Sequence, residues 1–463
     1  MRAWEAESWA AGFDQSQVIS TVGRLLAERA KLMTSPGEGI VLLAGKGHNG
    51  DDCRAAIPYL DGREVVLLNA LDPEQTLLQV NSILRDKPAL VIDGLFGIGL
   101  DRDLSSDWTA LIQMVNHARR LVLAVDVPSG LDADTGLPRG ASIIADVTLT
   151  FGAVKRGLVR ESAAPFVGRL ELAHDIGLSP CHAEPHLLWS DRCNFVGEPP
   201  RRSSQAHKGD FGHVVIVAGS LGYHGAAVLA ARGAARARPG LVTVVTMPET
   251  FPAVAAQLQS AMVQPWTDAF VLPAKMTAMV WGPGFAAPTL PQALREFLRR
   301  QWQKGSAPWV VDASSLDWVP PGPLVSSAAR VITPHPGEAA RMLQCSVDEV
   351  EADRPAAVRK LSSRYGDCWV VLKGRLTCLG RSEGRIYLNA SGNAGMAQGG
   401  AGDLLAGYLG GVLAQSPYAE DPLRGLLWAV WQHGASADAL ESERSNWTIE
   451  DLAERLGSVI VRV

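Results

Sequence analysis

The chain has 463 residues, about three times the length of a typical domain, so two or more domains with their own cores are expected. Its 43 lysines and arginines against 48 aspartates and glutamates give a net charge of −5, which argues against binding to nucleic acid or to an acidic membrane. No stretch has the length and apolarity of a membrane span, the first residues lack the apolar core of a signal peptide, and the six cysteines include no C-x-x-C pair. We therefore expect a cytoplasmic protein with reduced thiols.

The N-terminal part of the chain begins with a helical pattern and continues with a strand and a glycine-rich loop. Apolar residues at helical spacing predict helix within residues 13–32, and residues 40–44 form a short apolar strand pattern. The sequence G-K-G-H-N-G then follows at residues 45–50, which matches G-x-G-x-x-G after a strand. The second predicted strand, residues 64–69, ends without an acidic residue placed for a ribose, so a nicotinamide-dehydrogenase site is disfavoured. Alternatively, the glycines of this loop only allow the chain to turn.

Two further predicted strands each end in an aspartate followed by a glycine-bearing loop. Asp93 follows the strand at residues 89–92, and Asp126 follows the strand at residues 121–125. Ligands of open parallel sheets bind at the carboxyl edge, so Asn49, Asp93 and Ser129 are expected to converge there. Such oxygen ligands suit a hard cation, potassium or magnesium, better than zinc. The alternative for each aspartate is a simple loop cap.

A proline-rich, aperiodic segment at residues 180–204 predicts the domain boundary near residue 183, dividing the chain into residues 1–182 and 183–463. Strand and helix patterns then alternate again, which predicts a second parallel α/β sheet. Several of its strands end in polar or glycine-bearing turns. One of these turns holds His335 between two prolines, so that this histidine is expected to be rigidly placed and exposed; the alternative is a plain surface turn.

The glycine-rich stretch at residues 392–407 passes from a loop into an apolar helix. The unpaired N–H groups at such a helix start favour an anion, and Asp403 in the first turn would face the same space. A base beside a phosphate cradle suits phosphoryl transfer onto an alcohol. The alternative is a glycine turn with Asp403 as a helix cap. Neither a Walker A motif nor the protein-kinase motifs occur, so any phosphate chemistry belongs to another fold.

Several motifs of the second half resemble those of ADP-dependent NAD(P)H-hydrate dehydratases, in the order of that family: H-K-G-D at 207–210, G-P-G at 282–284, T-P-H-P-G-E at 333–338, L-K-G at 372–374 and the 392–407 stretch. The resemblance implies a ribokinase-like fold. It also implies that Gly284 and His335 contact the hydrated nicotinamide cofactor and that Asp403 is the catalytic carboxylate. The implied ADP-binding residues are Lys373, Gly374, Arg375, Leu376, Thr377 and Gly402.

The first half resembles NAD(P)H-hydrate epimerases at V-I-D-G-L-F-G-I-G-L, residues 91–100, and A-V-D-V-P-S-G-L-D, residues 124–132, so the whole chain resembles the bifunctional repair enzymes. The implied fold is a Rossmann-like three-layer sandwich with Asp126 as a catalytic residue. The implied potassium ligands are Asn49, Asp93 and Ser129. The implied substrate contacts, besides Asp126, are His48, Asn49, Gly50, Asp51, Asp52, Gly97, Ile98, Gly99, Leu100, Asp101, Arg102 and Asp103.

One motif departs from the family. Where the family reads N-N-G-G-D-G, this chain has His48-Asn49-Gly50-Asp51-Asp52-Cys53. We expect the side chains of Asp51 and Cys53 to enter the ligand space, and the added charge of Asp51 to weaken epimerisation.

The resemblance implies repair of hydrated NADH and NADPH (NADHX and NADPHX) with ADP as co-substrate, and we expect magnesium as a bridging ion and a homo-oligomer. Two alternatives remain from the sequence. One is a ribokinase-type small-molecule kinase that stops at the phosphorylated alcohol. The other is an N-terminal domain that binds a ligand without turnover.

Overall fold

The computed structural model describes residues 1–285 and 290–461. The chain divides into two compact units, Met1–Glu184 and Pro185–Val463, and both are α/β. No helix within the described ranges combines the length and apolarity needed to cross a membrane.

The first unit is built on a six-stranded, fully parallel sheet with the order β2-β1-β3-β4-β5-β6. Its strands are β1 Gly39–Ala44, β2 Glu64–Asn69, β3 Leu90–Gly94, β4 Leu121–Val125, β5 Val147–Phe151 and β6 Arg169–Ala173. Its helices are α1 Arg2–Ala10, α2 Gln15–Met33, α3 His48–Ala56, α4 Pro73–Arg85, α5 Ser106–His117 and α6 Ala164–Val167.

Alternating side chains of the central strands enter two separate cores, one on each face of the sheet. Ile40 and Leu42 pack in a cluster with α2 and α3, whereas Val41 and Leu43 pack in a cluster with α4 and α5. Because both faces are covered, these strands are apolar throughout, as parallel strands usually are. This confirms the predicted three-layer sandwich.

The second unit contains a ten-stranded sheet with the order β10-β9-β8-β11-β12-β13-β14-β15-β16-β7. Its strands are β7 Leu187–Ser190, β8 His213–Val217, β9 Leu241–Thr246, β10 Met262–Pro265, β11 Ala278–Trp281, β12 Trp309–Val311, β13 Arg330–Ile332, β14 Trp369–Leu372, β15 Cys378–Gly380 and β16 Ile386–Asn389. Its helices are α7 His224–Arg236, α8 Phe251–Ala255, α9 Gln292–Lys304, α10 Pro336–Leu343, α11 Val347–Ala352, α12 Arg354–Arg364, α13 Ala401–Leu413, α14 Ser416–Glu420, α15 Pro422–Glu443 and α16 Ile449–Arg455.

The strands from β10 to β14 run parallel, and β15 pairs antiparallel with both of its neighbours. Two features differ from the sequence prediction. The proline-rich segment was expected to lack regular structure, but it contributes β7, which pairs with β16. The β15–β16 hairpin was not predicted.

Helices α7 and α13 pack against each other through glycines. A Cβ atom at Gly407 would overlap the backbone carbonyl of Ala230, and one at Gly233 would overlap the carbonyl of Leu404. Both contacts are with backbone, which cannot move as a side-chain tip can. The absence of side chains at these positions therefore sets the distance between the two helices.

We expect Gly407→Ala to lower the free energy of unfolding of the second unit by about 1–3 kcal/mol, because overpacking forces the helices apart. The measurement is a urea titration followed by circular dichroism. The control is Gly225→Ala on α7, where an added Cβ meets nothing within 4 Å and should leave stability unchanged or slightly higher. Equal stability of Gly407→Ala and the natural protein would contradict this account of the packing.

Candidate active sites

In the first unit, a cavity of about 1130 Å³ lies at the carboxyl edge of the sheet. It is formed by the loops after β1, β3, β4 and β5 together with α1 and α2, as expected for an open parallel sheet. The sequence-predicted residues among its lining are His48, Asn49, Asp52, Gly97, Ile98, Gly99, Leu100, Asp101, Arg102, Asp103 and Asp126. Gly50 does not line the cavity. A Cβ atom there would overlap the backbone of Gly45, so this glycine lets α3 start close to β1.

Asp126 is held by a buried lysine. Its carboxylate accepts hydrogen bonds from the Lys155 ammonium, from the Thr150 hydroxyl at 3.0 Å and from the Phe151 N–H at 3.1 Å. Lys155 also donates to the Phe151 carbonyl at 2.9 Å, and its side chain is 7% exposed. Both charges line the cavity, so a proton acceptor and a proton donor meet at one place. Lys155 was not among the predicted site residues, although its position four residues after β5 was a usable signal.

Asp52 adds a third charge to this edge of the cavity. Burial, reinforced by the negative charge of Asp126, raises its pKa well above the ordinary value for aspartate. The Lys155 ammonium opposes this shift, but it contributes less than burial and the neighbouring negative charges do.

The residues predicted to bind potassium come together around Asp93. This carboxylate is fully buried and accepts from the N–H groups of Ser129 at 2.8 Å and Leu95 at 3.4 Å. Among the described residues no lysine or arginine pairs with it, and burial raises its pKa to about 6. The Asn49 amide donates to the carbonyls of Phe96 at 3.1 Å and Val125 at 2.6 Å, so several oxygen atoms gather beside an uncompensated carboxylate. This donor set fits a hard monovalent cation.

The expectation that Asp51 and Cys53 enter the ligand space is wrong. Cys53 is fully buried in the apolar core against α2, with its sulfur next to Gly94. The Asp51 carboxylate pairs with Arg54 at 3.0 Å and is not part of the cavity lining. The physical reason is that α3 already starts at His48, so helical rotation turns these two side chains away from the cavity.

In the second unit, the ends of β12 and β14 meet the start of α13. Lys373 donates to the Asp312 carboxylate at 2.7 Å, and the same carboxylate accepts from the Thr333 hydroxyl at 2.7 Å. Gly402 lies beside this pair, since a Cβ there would be 3.2 Å from the lysine Nζ. The structure thereby brings together three predicted residues, Lys373, Gly402 and Asp403, and adds Asp312, which was not predicted as a site residue.

The carboxyl of Asp403 has a pKa well above the ordinary value for aspartate. Burial raises its pKa to about 7; Asp312 adds to the shift and Lys373 opposes it. Burial by itself would lower the pKa of Lys373, but the charges of Asp312 and Glu338 outweigh it and the net shift is upward. Lys373 therefore stays protonated, while Asp403 changes charge near neutral pH.

His335 caps helix α10. Its Nδ1 accepts from the N–H groups of Gly337 at 3.0 Å and Glu338 at 3.3 Å, and the backbone N–H of His335 donates to the Glu338 carboxylate at 2.8 Å. The ring is half-exposed, and Glu338 lies 3.9 Å from Lys373, so the histidine stands next to the Asp312–Lys373 pair. The exposure predicted for His335 is observed, and the two hydrogen bonds that its Nδ1 accepts hold the ring in place.

The remaining predicted residues lie around this cluster. Gly284, at a φ of +70°, accepts from the N–H and hydroxyl of Ser220, and a Cβ there would press on Tyr223. The turn of Gly374, Arg375, Leu376 and Thr377 joins β14 to β15, and Arg354 fixes it by donating to the carbonyls of Leu372, Lys373 and Leu376 at 3.1–3.2 Å. Arg354 was also missed by the sequence analysis.

Comparison with known proteins decides the family. A family model described as NAD(P)H-hydrate dehydratase matches residues 214–462, and one described as YjeF-related protein N-terminus matches residues 64–157. The chain is 32% identical to the bifunctional NAD(P)H-hydrate repair enzyme Nnr of Coxiella burnetii, over 87% of this chain and 86% of that protein. The chain belongs to the bifunctional NAD(P)H-hydrate repair enzyme family. Its identity to the Nnr enzyme of Escherichia coli is 33%, over 86% of this chain and 80% of that one.

Solved structures place the second unit of this repair-enzyme family member in a known fold. The ADP/ATP-dependent NAD(P)H-hydrate dehydratase from Bacillus subtilis, co-crystallised with ATP and Mg²⁺, is 29% identical with a TM-score of 0.51 and covers 56% of this chain and 92% of its own. A ribokinase-like superfamily protein from Enterococcus faecalis gives a TM-score of 0.51 at 22% identity. The predicted ribokinase-like fold is confirmed.

The Asp126–Lys155 pair of this repair-enzyme family member can be tested by a double-mutant cycle. We expect Lys155→Met to lower the free energy of unfolding of the first unit by about 3–5 kcal/mol, because it leaves a buried carboxylate unpaired. Adding Asp126→Asn to that variant should recover most of the loss. The measurement is denaturant unfolding of all four proteins. Equal losses in Lys155→Met and in the double variant would contradict the pairing.

Proposed function

We propose that this protein repairs hydrated nicotinamide cofactors in two steps, with residues 1–182 converting R to S hydrates and residues 183–463 dehydrating the S hydrate at the expense of ADP. The observation that carries the proposal is the partly buried carboxyl of Asp403, with a pKa raised to about 7, in the first turn of a helix and beside Lys373. A base that exchanges its proton near neutral pH is what phosphoryl transfer onto a hydroxyl requires.

In the dehydration step, Asp403 takes the proton of the ring hydroxyl as that oxygen attacks the β-phosphorus of ADP. The bond from this phosphorus to the bridging oxygen breaks, and AMP leaves. The ring carbon–oxygen bond then breaks with the electron pair of the ring nitrogen assisting, so that inorganic phosphate leaves in place of hydroxide. Loss of a ring proton restores NADH or NADPH.

The start of α13 and Lys373 suit the charged nucleotide. The first-turn N–H groups of α13 have no partner within the helix, and its N-terminal dipole favours an anion. Lys373 lies beside Gly402, where the missing side chain leaves room for phosphate oxygens. These contacts support ADP binding by Lys373, Gly374, Arg375, Leu376, Thr377 and Gly402.

A divalent cation would be attracted to this site, because the carboxylates of Asp312 and Glu338 lie near enough to Asp403 to raise its pKa. Magnesium there would be held by Asp312 and Glu338. When bound, it would neutralise charge on the transferring phosphoryl group.

In the epimerisation step, Asp126 and Lys155 act on the hydroxyl-bearing ring carbon. The carboxylate removes the hydroxyl proton, which opens the carbon–nitrogen bond to an aldehyde, and the ammonium protonates the nitrogen. Reclosure on the other face of the aldehyde gives the opposite epimer. Potassium would be held by Asn49, Asp93 and Ser129, where its charge compensates the buried carboxylate.

The proposal extends to the substrates NADHX and NADPHX with ADP as co-substrate, and it assigns contacts with the hydrated ring to Gly284 and His335. The homo-oligomer and the cytoplasmic location stay predictions. A kinase that stops at the phosphate ester is not favoured by the family comparison. The two reactions differ in product, since the dehydratase releases inorganic phosphate and the kinase retains it on the substrate.

We expect Asp403→Asn to lower the dehydration rate by about 10²–10⁴-fold, because the variant lacks the proton acceptor. In the natural protein, kcat/KM should fall as pH drops below about 7, since the protonated carboxyl cannot accept a proton. This acid limb should be absent in the variant. The measurement is recovery of reduced-nicotinamide absorbance from S hydrate with ADP.

The matched control is Asp348→Asn on α11, an exposed carboxyl whose loss should leave the rate and the pH profile unchanged. A near-natural rate in Asp403→Asn would remove this residue from the mechanism.

We expect the natural protein to convert pure R hydrate to S hydrate faster with potassium than without it, and Asp126→Asn to lose about 10²–10⁴-fold in rate. Asp51→Gly should bring no gain, because this side chain lies outside the cavity. Chiral separation of the epimers gives the rates. A large gain in Asp51→Gly would show that the departure from the family motif matters after all.

A further inference from the structure

Asp52 is a buried carboxyl at the cavity of the first unit, and its side chain has no partner. It lies on α3, is 9% exposed and belongs to the lining of the cavity of about 1130 Å³. Within residues 1–285 and 290–461 its carboxyl forms no hydrogen bond and no ion pair. Buried polar groups normally have a partner inside the protein. An unpartnered carboxyl that faces a cavity is therefore suited to a group that the cavity receives.

Asp126, the other buried aspartate of this lining, has the opposite environment. Its negative charge is paired with the Lys155 ammonium and accepts two further hydrogen bonds, from the Thr150 hydroxyl and the Phe151 N–H. Such contacts favour the charged form of a carboxyl, whereas burial without a partner favours the neutral form. Two carboxyl groups that one site holds in different protonation states are suited to accept a proton and to donate one.

The charged groups around Asp52 maintain this difference. Burial raises the pKa of Asp52 most, and three negative groups add to the shift: Asp126, Asp51 and Glu5. The Lys155 ammonium lowers the pKa by a smaller amount. These groups lie on α1, on α3 and in the loops after β4 and β5. Asp52 therefore keeps its proton at a pH at which an ordinary aspartate is charged.

Inversion of the hydroxyl-bearing carbon needs proton transfer at two positions. When the ring opens, Asp126 takes the hydroxyl proton and the oxygen becomes that of an aldehyde. When the ring nitrogen attacks the other face of the aldehyde, the new hydroxyl oxygen points in another direction and needs a proton. A donor on another wall of the cavity meets this need. Asp52 belongs to α3, whereas Asp126 follows β4.

We propose that Asp52 is a second catalytic residue of the epimerisation and donates the proton that the hydroxyl oxygen takes up when the ring recloses. This inference rests on the epimerisation proposed for the first unit. In the reclosure the carbon–nitrogen bond forms, the electron pair of the carbonyl π bond moves to oxygen, and that oxygen takes the proton of Asp52. The nitrogen returns its proton to Lys155. Asp126 is then protonated and Asp52 charged, and water in the cavity carries the proton back.

The first test is Asp52→Asn, with pure R hydrate as the substrate and chiral separation of the epimers. Asparagine keeps the size and can donate a hydrogen bond but has no proton to give, so kcat/KM should fall about 10²–10⁴-fold. In the natural protein kcat/KM should also decrease as the pH rises through the pKa of Asp52, because the charged form cannot donate. This decrease should be absent from the variant over the same pH range.

Two further measurements separate proton donation from a structural role. Asp52→Ala should gain at least about tenfold in rate when imidazole buffer is added, since imidazolium supplies the missing proton. Thermal unfolding of Asp52→Asn should be natural-like or occur at higher temperature, because the substitution removes an unpaired buried carboxyl. The matched control is Asp86→Asn, at an exposed position outside the cavity lining, which should leave the rate and the pH profile unchanged.

A natural rate and pH profile in Asp52→Asn, when the natural protein does convert R to S hydrate, would overturn this role and leave the epimerisation in place. A slow Asp52→Asn that keeps the high-pH decrease, with no response of Asp52→Ala to imidazole, would also overturn it, because Asp52 would then only shape the cavity. No conversion of R hydrate by the natural protein would overturn the epimerisation and this role together.

Discussion

In each unit a lysine ammonium is held against an aspartate carboxylate at the carboxyl edge of a parallel sheet. Lys155 binds Asp126 in the first unit, and Lys373 binds Asp312 in the second. Removing such charges from water is costly unless they are paired, so these contacts fix the loops that carry them. Each pair has a further carboxyl nearby, Asp52 or Asp403, whose pKa is raised mainly by burial and further by the negative charge of the paired aspartate. The protonation behaviour of these two carboxyl groups thus follows from burial beside a charge pair that is itself structural.

Much of the fold follows from patterns that the sequence shows directly. Apolar runs that end in Asp93, Asp126 or Lys373 mark the carboxyl ends of buried parallel strands, and the structure has strands at these places. The short strands β7 and β15 escaped prediction, because they have four and three residues and their pairing is set by distant neighbours. A segment of this length carries too little periodicity to be distinguished from a loop.

The sites were predictable to a smaller extent. The sequence motifs indicated Asp403, Lys373 and the residues around Asp93, but the directions of the side chains on α3 depend on where that helix begins. Residues on a helix differ by about 100° in direction, so Asn49 and Asp52 face the cavity, Cys53 faces the core, and Asp51 faces Arg54. The residue types of the motif do not show in which direction each side chain points. Contacts between distant residues, such as Asp312 with Lys373, are likewise invisible to local patterns.

The glycine contacts between α7 and α13 bear on how catalysis is organised. Because Gly233 and Gly407 bring the two backbones together, α13 has no room to slide or rotate against its neighbour. Asp403, one turn before Gly407, therefore has a fixed location relative to the sheet. In the proposed dehydration the base is therefore held in place, and the substrate has to be positioned against it.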